Sequence, residues 1–122
     1  MVTCVHGALA ASPHVAKIAT NSDPRRNALT LKNAPSPRIK SMVVAIEPRR
    51  GTPRQLVVEY SLTAGKMSED DMMGATDDTP AVVEMSMQLL SDVRARCAPT
   101  ASGAPACTST DREQSGRCAL GL

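Results

Sequence analysis

The histidines His6 and His14, with the serines and cysteines, are the residues of this sequence that could support nucleophilic catalysis. A catalytic triad needs a Ser or Cys nucleophile, a His base and an acid that orients the base. Both histidines lie in a segment rich in Ala, Ser, Pro and Asn, for which we predict disorder. A base in a disordered segment is not held within hydrogen-bonding distance of a nucleophile. We therefore predict no catalytic residues and a protein that is not an enzyme.

Neighbouring carboxylates at 69–71 and at Asp77 and Asp78 could act as general acids and bases or could bind calcium. General acid catalysis needs a carboxyl group whose pKa is raised by burial. These acids are instead flanked by Met, Gly and further acids. A calcium loop needs acids at alternate positions and a closing Glu, and "EDDMMGATDDTP" has neither. The pattern favours a solvated acidic surface.

The four cysteines are Cys4, Cys97, Cys107 and Cys118, and the last three are separated by nine and ten intervening residues. Zinc modules pair their cysteines two to four residues apart, so we predict no metal site and no other cofactor. A disulfide framework requires an oxidising compartment. The start of the chain, "MVTCVHGALAASP", lacks the basic region of a secretory signal. We expect reduced, inert thiols in an intracellular protein of unknown compartment.

Residues 1–40 also match the composition of an organelle transit peptide, which is poor in acids and contains Arg and Ser. No amphipathic helix of the kind that such peptides form is evident between the prolines of this segment. A disordered basic arm is therefore the favoured interpretation, and organelle targeting is the alternative.

Contact with the phosphates of nucleic acid is the chemistry that the basic residues could provide. The segment "EPRRGTPRQ", residues 47–55, concentrates three arginines between two apolar runs. Single-strand binders also stack bases on aromatic rings, and Tyr60 is the one aromatic residue in the chain. We therefore expect weak, non-specific and salt-sensitive binding at most. The residues predicted to contact nucleic acid are Arg25, Arg26, Arg49, Arg50 and Arg54.

Charge is segregated along the chain, although the net charge is only +2. Residues 1–54 contain nine Lys and Arg against two acids, whereas residues 55–92 contain one Lys against eight acids. Oppositely charged segments of this kind can associate with each other, with a second copy or with a charged partner.

Two short apolar segments are predicted to form the strands of a hairpin, at about 42–46 and 56–62, because their apolar residues alternate. Residues 47–54 would form the connecting loop. The residues expected to share one face of the hairpin are Met42, Val44, Ile46, Leu56, Val58, Tyr60 and Leu62.

A helix is predicted at about 80–97, because Thr79 is a suitable N-cap and Pro80 suits the first helical position. One face of this helix carries an apolar stripe that is wider than a hairpin alone can cover. The stripe therefore predicts a protein partner or self-association. Its predicted partner-binding residues are Val82, Met85, Leu89 and Val93.

These elements predict a small, marginally stable α+β protein with a ββα unit at 42–98. Residues 1–41 would be a largely disordered basic arm and residues 99–122 a disordered tail. No segment approaches the ~20 apolar residues that span a membrane. The predicted function is that of a non-enzymatic interaction or regulatory protein. A weakly nucleic-acid-associated protein is one alternative, and a poorly selected open reading frame without a defined molecular function is another.

Overall fold

A computed structural model describes residues 1–20, 23–49, 52–63, 79–109 and 115–122, with backbone alone at 48, 49, 52 and 53. The described residues form two helices and six strands. In chain order these are α1 (Val2–Ala10), β1 (Val15–Ala19), β2 (Arg26–Leu31), β3 (Ile39–Arg49), β4 (Thr52–Leu62), α2 (Thr79–Cys97), β5 (Ala106–Ser109) and β6 (Ser115–Gly121).

The six strands form one antiparallel sheet in the order β1-β2-β3-β4-β6-β5. The hairpin of β3 and β4 is its centre, with Val44 opposite Val58 and Ile46 opposite Leu56. Strand β6 comes from the far end of the sequence and lies along β4, so that Leu120 is opposite Leu56. The central strands are therefore paired on both sides, which a lone hairpin cannot achieve.

Both helices lie on the same face of the sheet and contact each other there. Alternate residues of each strand point to this face, because successive side chains of a strand lie on opposite sides. The main core residues are Val5 and Leu9 of α1, Met42, Val44 and Ile46 of β3, Leu56, Val58, Tyr60 and Leu62 of β4, Val82, Leu89, Leu90 and Val93 of α2, and Cys118 and Leu120 of β6.

The second helix begins at Thr79, immediately before Pro80, and its last turn contains Arg94 and Arg96. Basic side chains near a helix C-terminus interact favourably with the helix dipole. The guanidinium group of Arg94 also donates hydrogen bonds to the backbone oxygens of Gly103, at 2.8 Å, and Gly121, at 3.5 Å. Arg94 therefore ties the end of α2 to the segment that follows it and to the end of β6.

Two disulfides connect all four cysteines. Cys4–Cys97 joins α1 to the C-terminal end of α2 across 93 residues of sequence. Cys107–Cys118 joins β5 to β6 at directly opposed positions. The expectation of reduced thiols is therefore wrong, because pairing depends on which cysteines the fold brings together, and their sequence spacing does not show this.

The predicted ββα fold class with disordered terminal segments is also wrong. The chain forms a six-stranded sheet, and residues before 42 and after 98 contribute α1, β1, β2, β5 and β6. The hairpin and the helix predicted at 80–97 correspond in position to β3, β4 and α2. The outer strands are short and carry few large apolar residues, so they depend on long-range pairing that local patterns do not reveal.

Gly116 of β6 lies opposite Tyr60 of β4, and its lack of a side chain leaves room for the tyrosine ring. A Cβ atom on Gly116 would contact the Tyr60 ring, including its Cε1 at 2.9 Å and its hydroxyl at still closer range. Aromatic rings often cover cross-strand glycines in this way. The Tyr60 ring is therefore buried over the backbone of β6 at Gly116, which has no side chain.

We expect Gly116→Ala to lower the free energy of unfolding by about 1–3 kcal/mol, because the extra methyl group overpacks the core against the Tyr60 ring. Urea unfolding measures this change. Gly121→Ala on the same strand is the matched control, since a Cβ there has no heavy atom within 4 Å. Tyr60→Leu should relieve the clash, so equal losses from Gly116→Ala with and without Tyr60→Leu would refute the explanation.

Candidate binding surface

The face of the sheet opposite the helices is not covered by any element of the described chain, and we call it the open face. Its residues alternate with the core residues along each strand. At its centre it presents Ser41, Val43, Ala45 and Glu47 of β3, Gln55, Val57, Glu59 and Ser61 of β4, and Ser115, Arg117 and Ala119 of β6. Small apolar and hydroxyl side chains therefore predominate on this face.

Two ion pairs cross the open face from strand to strand. Arg26 Nη2 of β2 lies 3.4 Å from Glu59 Oε2 of β4, beyond the intervening strand β3. Arg117 Nη2 of β6 lies 2.7 Å from Glu47 Oε1 of β3, beyond the intervening strand β4. The four side chains keep between 38% and 48% of their exposure, so each pair contributes only about 0–1 kcal/mol to stability.

The two ion pairs explain why an apolar residue on the open face is buried. Val57 is 0% exposed and Ala45, directly opposite it on β3, is 4% exposed. Arg26 is also opposite Ala45, and the Arg117–Glu47 pair crosses β4, the strand that contains Val57. The aliphatic parts of the arginines can cover such apolar residues while the charged ends remain in water.

A shallow depression of about 490 Å³ lies on the open face beside Val57 and Ala45. Hydroxyl groups on adjacent strands line it, together with the charged residues Arg26, Glu59 and Arg117. Its lining hydroxyl residues are Ser41, Ser61, Thr108, Ser109 and Ser115. Because hydroxyl groups both donate and accept hydrogen bonds, this surface can recognise polar groups of many kinds.

The residues predicted to bind a partner lie elsewhere, in the core on the opposite side of the sheet. Val82, Met85, Leu89 and Val93 are all buried against the strands. Together with α1, the sheet covers the stripe that a hairpin could not cover. Their role in partner binding stays a prediction, but the folded chain does not expose them.

The structure brings part of the predicted nucleic-acid surface together at one end of the sheet. The backbone oxygen of Arg25 accepts a hydrogen bond from the N–H of Ile46, and Arg54 lies near the start of the neighbouring strand β4. Arg26 points to the open face and pairs with Glu59. The side chains of Arg49 and Arg50 lie outside the described residues, as do the acids at 69–71, Asp77 and Asp78.

Arg25 is not a free cation at this end of the sheet. Its guanidinium Nε lies 3.2 Å from Asp23 Oδ1, and its backbone N–H also donates to that oxygen at 3.0 Å. Hydrogen bonding by the Arg25 side chain, and then by its backbone, lowers the pKa of Asp23 below its ordinary value. Asp23 therefore stays ionised in mildly acidic solution and offsets the charge of Arg25.

The side chain of Arg54, at the same end of the sheet, is exposed to solvent.

The side chain of His6 hydrogen-bonds to an asparagine, and His14 hydrogen-bonds to a serine through its backbone. His6 Nδ1 lies 3.1 Å from Oδ1 of Asn27, a buried residue whose amide donates to the backbone oxygen of Val44. The backbone N–H of His14 donates to Ser12 Oγ. Within the described residues no three His, Cys, Asp or Glu side chains are arranged to hold a metal ion. The predicted lack of catalytic activity stays a prediction.

Comparison with known proteins identifies no relative: no protein-family model, curated protein or solved structure matches this chain. Neither of the two described helices is sufficiently long and apolar to cross a membrane.

The open face was missed in the sequence, although a signal for its central strands was present. In "SGRCALG", residues 115–121, Cys118 and Leu120 alternate with Arg117 and Ala119. This alternation is typical of a strand with one buried face. The same pattern in β4 separates Leu56 and Val58 from Val57 and Glu59, but neither pattern shows that β4 and β6 are neighbours.

Proposed function

We propose that the protein is a non-enzymatic interaction protein that binds a protein partner through the open face of its sheet. The observation that carries this proposal is that the partly exposed apolar residues Val43 and Ala119 lie on the open face among the charged residues of the two Arg–Glu ion pairs. An apolar centre surrounded by polar groups is the usual composition of a protein-binding patch. Partner binding is thus assigned to the open face in place of the α2 stripe.

The composition of the open face supports a flat partner. An antiparallel sheet that faces water typically presents polar residues at alternate positions. Here four of the central positions, Val43, Ala45, Val57 and Ala119, carry small apolar side chains. Side chains this small allow another backbone to approach closely, as in the packing of two sheets about 10 Å apart.

The two disulfides support a location in an oxidising compartment, since such bonds are rare in reducing compartments. This proposal replaces the intracellular location expected from the sequence.

Site-specific photocrosslinking tests the binding surface. A benzoylphenylalanine introduced at Ser61, on the open face, should give crosslinked products in the cells that produce the protein. The same photocrosslinker at Gln88, which is exposed on α2, is the matched control and should give none. Equal crosslinking from the two positions, or none from Ser61, would contradict the proposal.

Weak binding to nucleic acid is a second candidate function, favoured by the charge of the described side chains. The described residues include ten Lys and Arg side chains and five Asp and Glu side chains. Arg54, exposed near the start of β4, is the described basic side chain best placed to contact phosphate at that end of the sheet. Phosphate contacts of this kind release counterions and are therefore weakened by salt.

Fluorescence anisotropy with a labelled single-stranded oligonucleotide tests this second candidate. For three phosphate contacts with a single strand we expect the affinity to fall roughly 20-fold between 50 and 200 mM salt. Arg54→Glu should weaken binding at low salt, whereas Lys32→Glu, in the exposed loop at the opposite end of β2, should have a smaller effect. Binding that does not respond to salt, or no binding at 50 mM salt, would eliminate this candidate.

A further inference from the structure

We infer that the partner of the open face is a second copy of this chain, and that the two copies pack with β4 of one over β6 of the other. This inference rests on the proposed function, because it names the occupant of the same surface. The structural basis is a pair of directly opposed residues of unlike charge, Glu59 on β4 and Arg117 on β6.

The strand register makes this surface complementary to itself. Consider a two-fold axis that lies above the open face, parallel to the strands and midway between β4 and β6. It places each β4 residue of one copy over the β6 residue of the second copy with which it is paired in the sheet. Glu59 of one copy then faces Arg117 of the second copy, and the reverse contact forms by symmetry. Like-charged groups do not meet at this position.

The neighbouring positions match in chemical type as well. The same axis places Val57 over Ala119 of the second copy and Ser61 over Ser115 of the second copy. Apolar positions thus align with apolar positions, although Val57 itself is buried in each copy, and hydroxyl groups meet hydroxyl groups. One step further out, Ala45 of β3 lies over Ala106 of the second copy, since both positions continue the same row of the sheet.

The charge of the open face also selects among partners. Its two ion pairs contribute two positive and two negative charges, so the patch itself is neutral although the described chain is basic. A strongly charged partner, whether acidic or basic, gains little from a neutral patch. A second copy brings the same alternating pattern in the orientation that pairs unlike charges.

The area available indicates a weak dimer. Of the four overlapping strands, β3, β4 and β6 are paired over at least seven residues and β5 over four, which gives a flat footprint of roughly 400 Å² per copy, or about 800 Å² in total, from standard strand spacings. This area lies below the range of about 1,200–2,000 Å² in total that stable complexes bury. We therefore expect a reversible dimer that dissociates on dilution and forms at high protein concentration.

Charge reversal tests the inference by sedimentation equilibrium. Glu59→Arg and Arg117→Glu should each reduce dimerisation at least 10-fold, because like charges then face each other across the axis. Mixing the two variants should restore association, since every opposed pair is again of unlike charge. The double variant Glu59→Arg with Arg117→Glu in one chain should dimerise as the original protein does. Glu84→Arg, on the outer surface of α2, is the control and should change nothing.

Circular dichroism melts of all variants establish that they are folded, as expected for exposed ion pairs of small energetic value. The inference is overturned if the original protein remains a monomer at all concentrations, or if the single variants dimerise as it does. Failure of the mixture and the double variant to associate would also overturn it. A crosslink from Ser61 to a different protein, together with a monomer in sedimentation, would overturn this inference and leave the proposed function intact.

Discussion

Replacing Cys4 and Cys97 with serine is expected to lower the free energy of unfolding by about 2–5 kcal/mol. The disulfide closes a loop that spans nearly the whole chain, with 93 residues of sequence separation, and so restricts the unfolded chain strongly. It also holds α1, whose Val5 and Leu9 are fully buried, against the end of α2. For a small domain with a total stability of about 5–15 kcal/mol, this is a large fraction.

The second disulfide provides the matched control for this experiment. Cys107–Cys118 closes a separation of only 11 residues, so the chain-entropy model predicts a loss about 2 kcal/mol smaller for its double serine variant. Urea unfolding of both variants under identical conditions measures the difference. Equal losses, or a larger loss from the Cys107–Cys118 variant, would contradict the role assigned to the long-range disulfide.

Leu89→Asp is expected to abolish cooperative folding. Leu89 is 1% exposed and lies in the core between α2 and the sheet. The substitution removes a buried apolar side chain, which alone costs about 2–5 kcal/mol, and adds a carboxylate with no partner. The combined loss is comparable with the entire stability of a small domain.

The neighbouring substitution Gln88→Asp separates this effect from a general effect of charge on α2. Gln88 is exposed one position earlier in the same helix, so a carboxylate there remains hydrated. Thermal melts followed by circular dichroism should show a normal transition for Gln88→Asp and none for Leu89→Asp. A folded Leu89→Asp variant with an unchanged melting temperature would contradict the core position of α2 and would favour its predicted role in partner binding.

The central elements of the fold could be predicted because their signals are local. The apolar alternation of Leu56, Val58, Tyr60 and Leu62 indicates one buried face of a strand, and the structure buries all four. Thr79 and Pro80 mark the beginning of α2 in the same direct way. Such patterns depend on residues only a few positions apart, so they are visible without knowledge of the tertiary structure.

The remainder of the fold depends on contacts between distant residues. The partner of Leu56 on one side is Leu120, and no local pattern in either segment identifies the other. The first helix contains His6 and Gly7 among small apolar residues, so its amphipathic pattern is weak, and its burial depends on α2 and the Cys4–Cys97 bond. Long-range pairing of this kind is the information that sequence periodicity lacks.

The candidate site was missed for the same reason. Arg117, Glu59, Arg26 and Glu47 are distributed over four strands, and they form a patch only when those strands are ordered in the sheet. The sequence does show unlike charges and an apolar stripe on α2, and the predicted partner was placed on that stripe, which the structure buries. The stripe on α2 faces the protein's own sheet, and no described element covers the other side of that sheet.

A dilution series followed by methyl NMR tests most directly whether two copies associate through the open face. As the concentration rises, the methyl resonances of Val43, Val57 and Ala119 should shift together and give a single dissociation constant. Those of Val82 and Leu89, on the opposite side of the sheet, should remain in place. Shifts concentrated at Val82 and Leu89, or no shift at any methyl group up to millimolar concentration, would contradict the dimer formed through the open face.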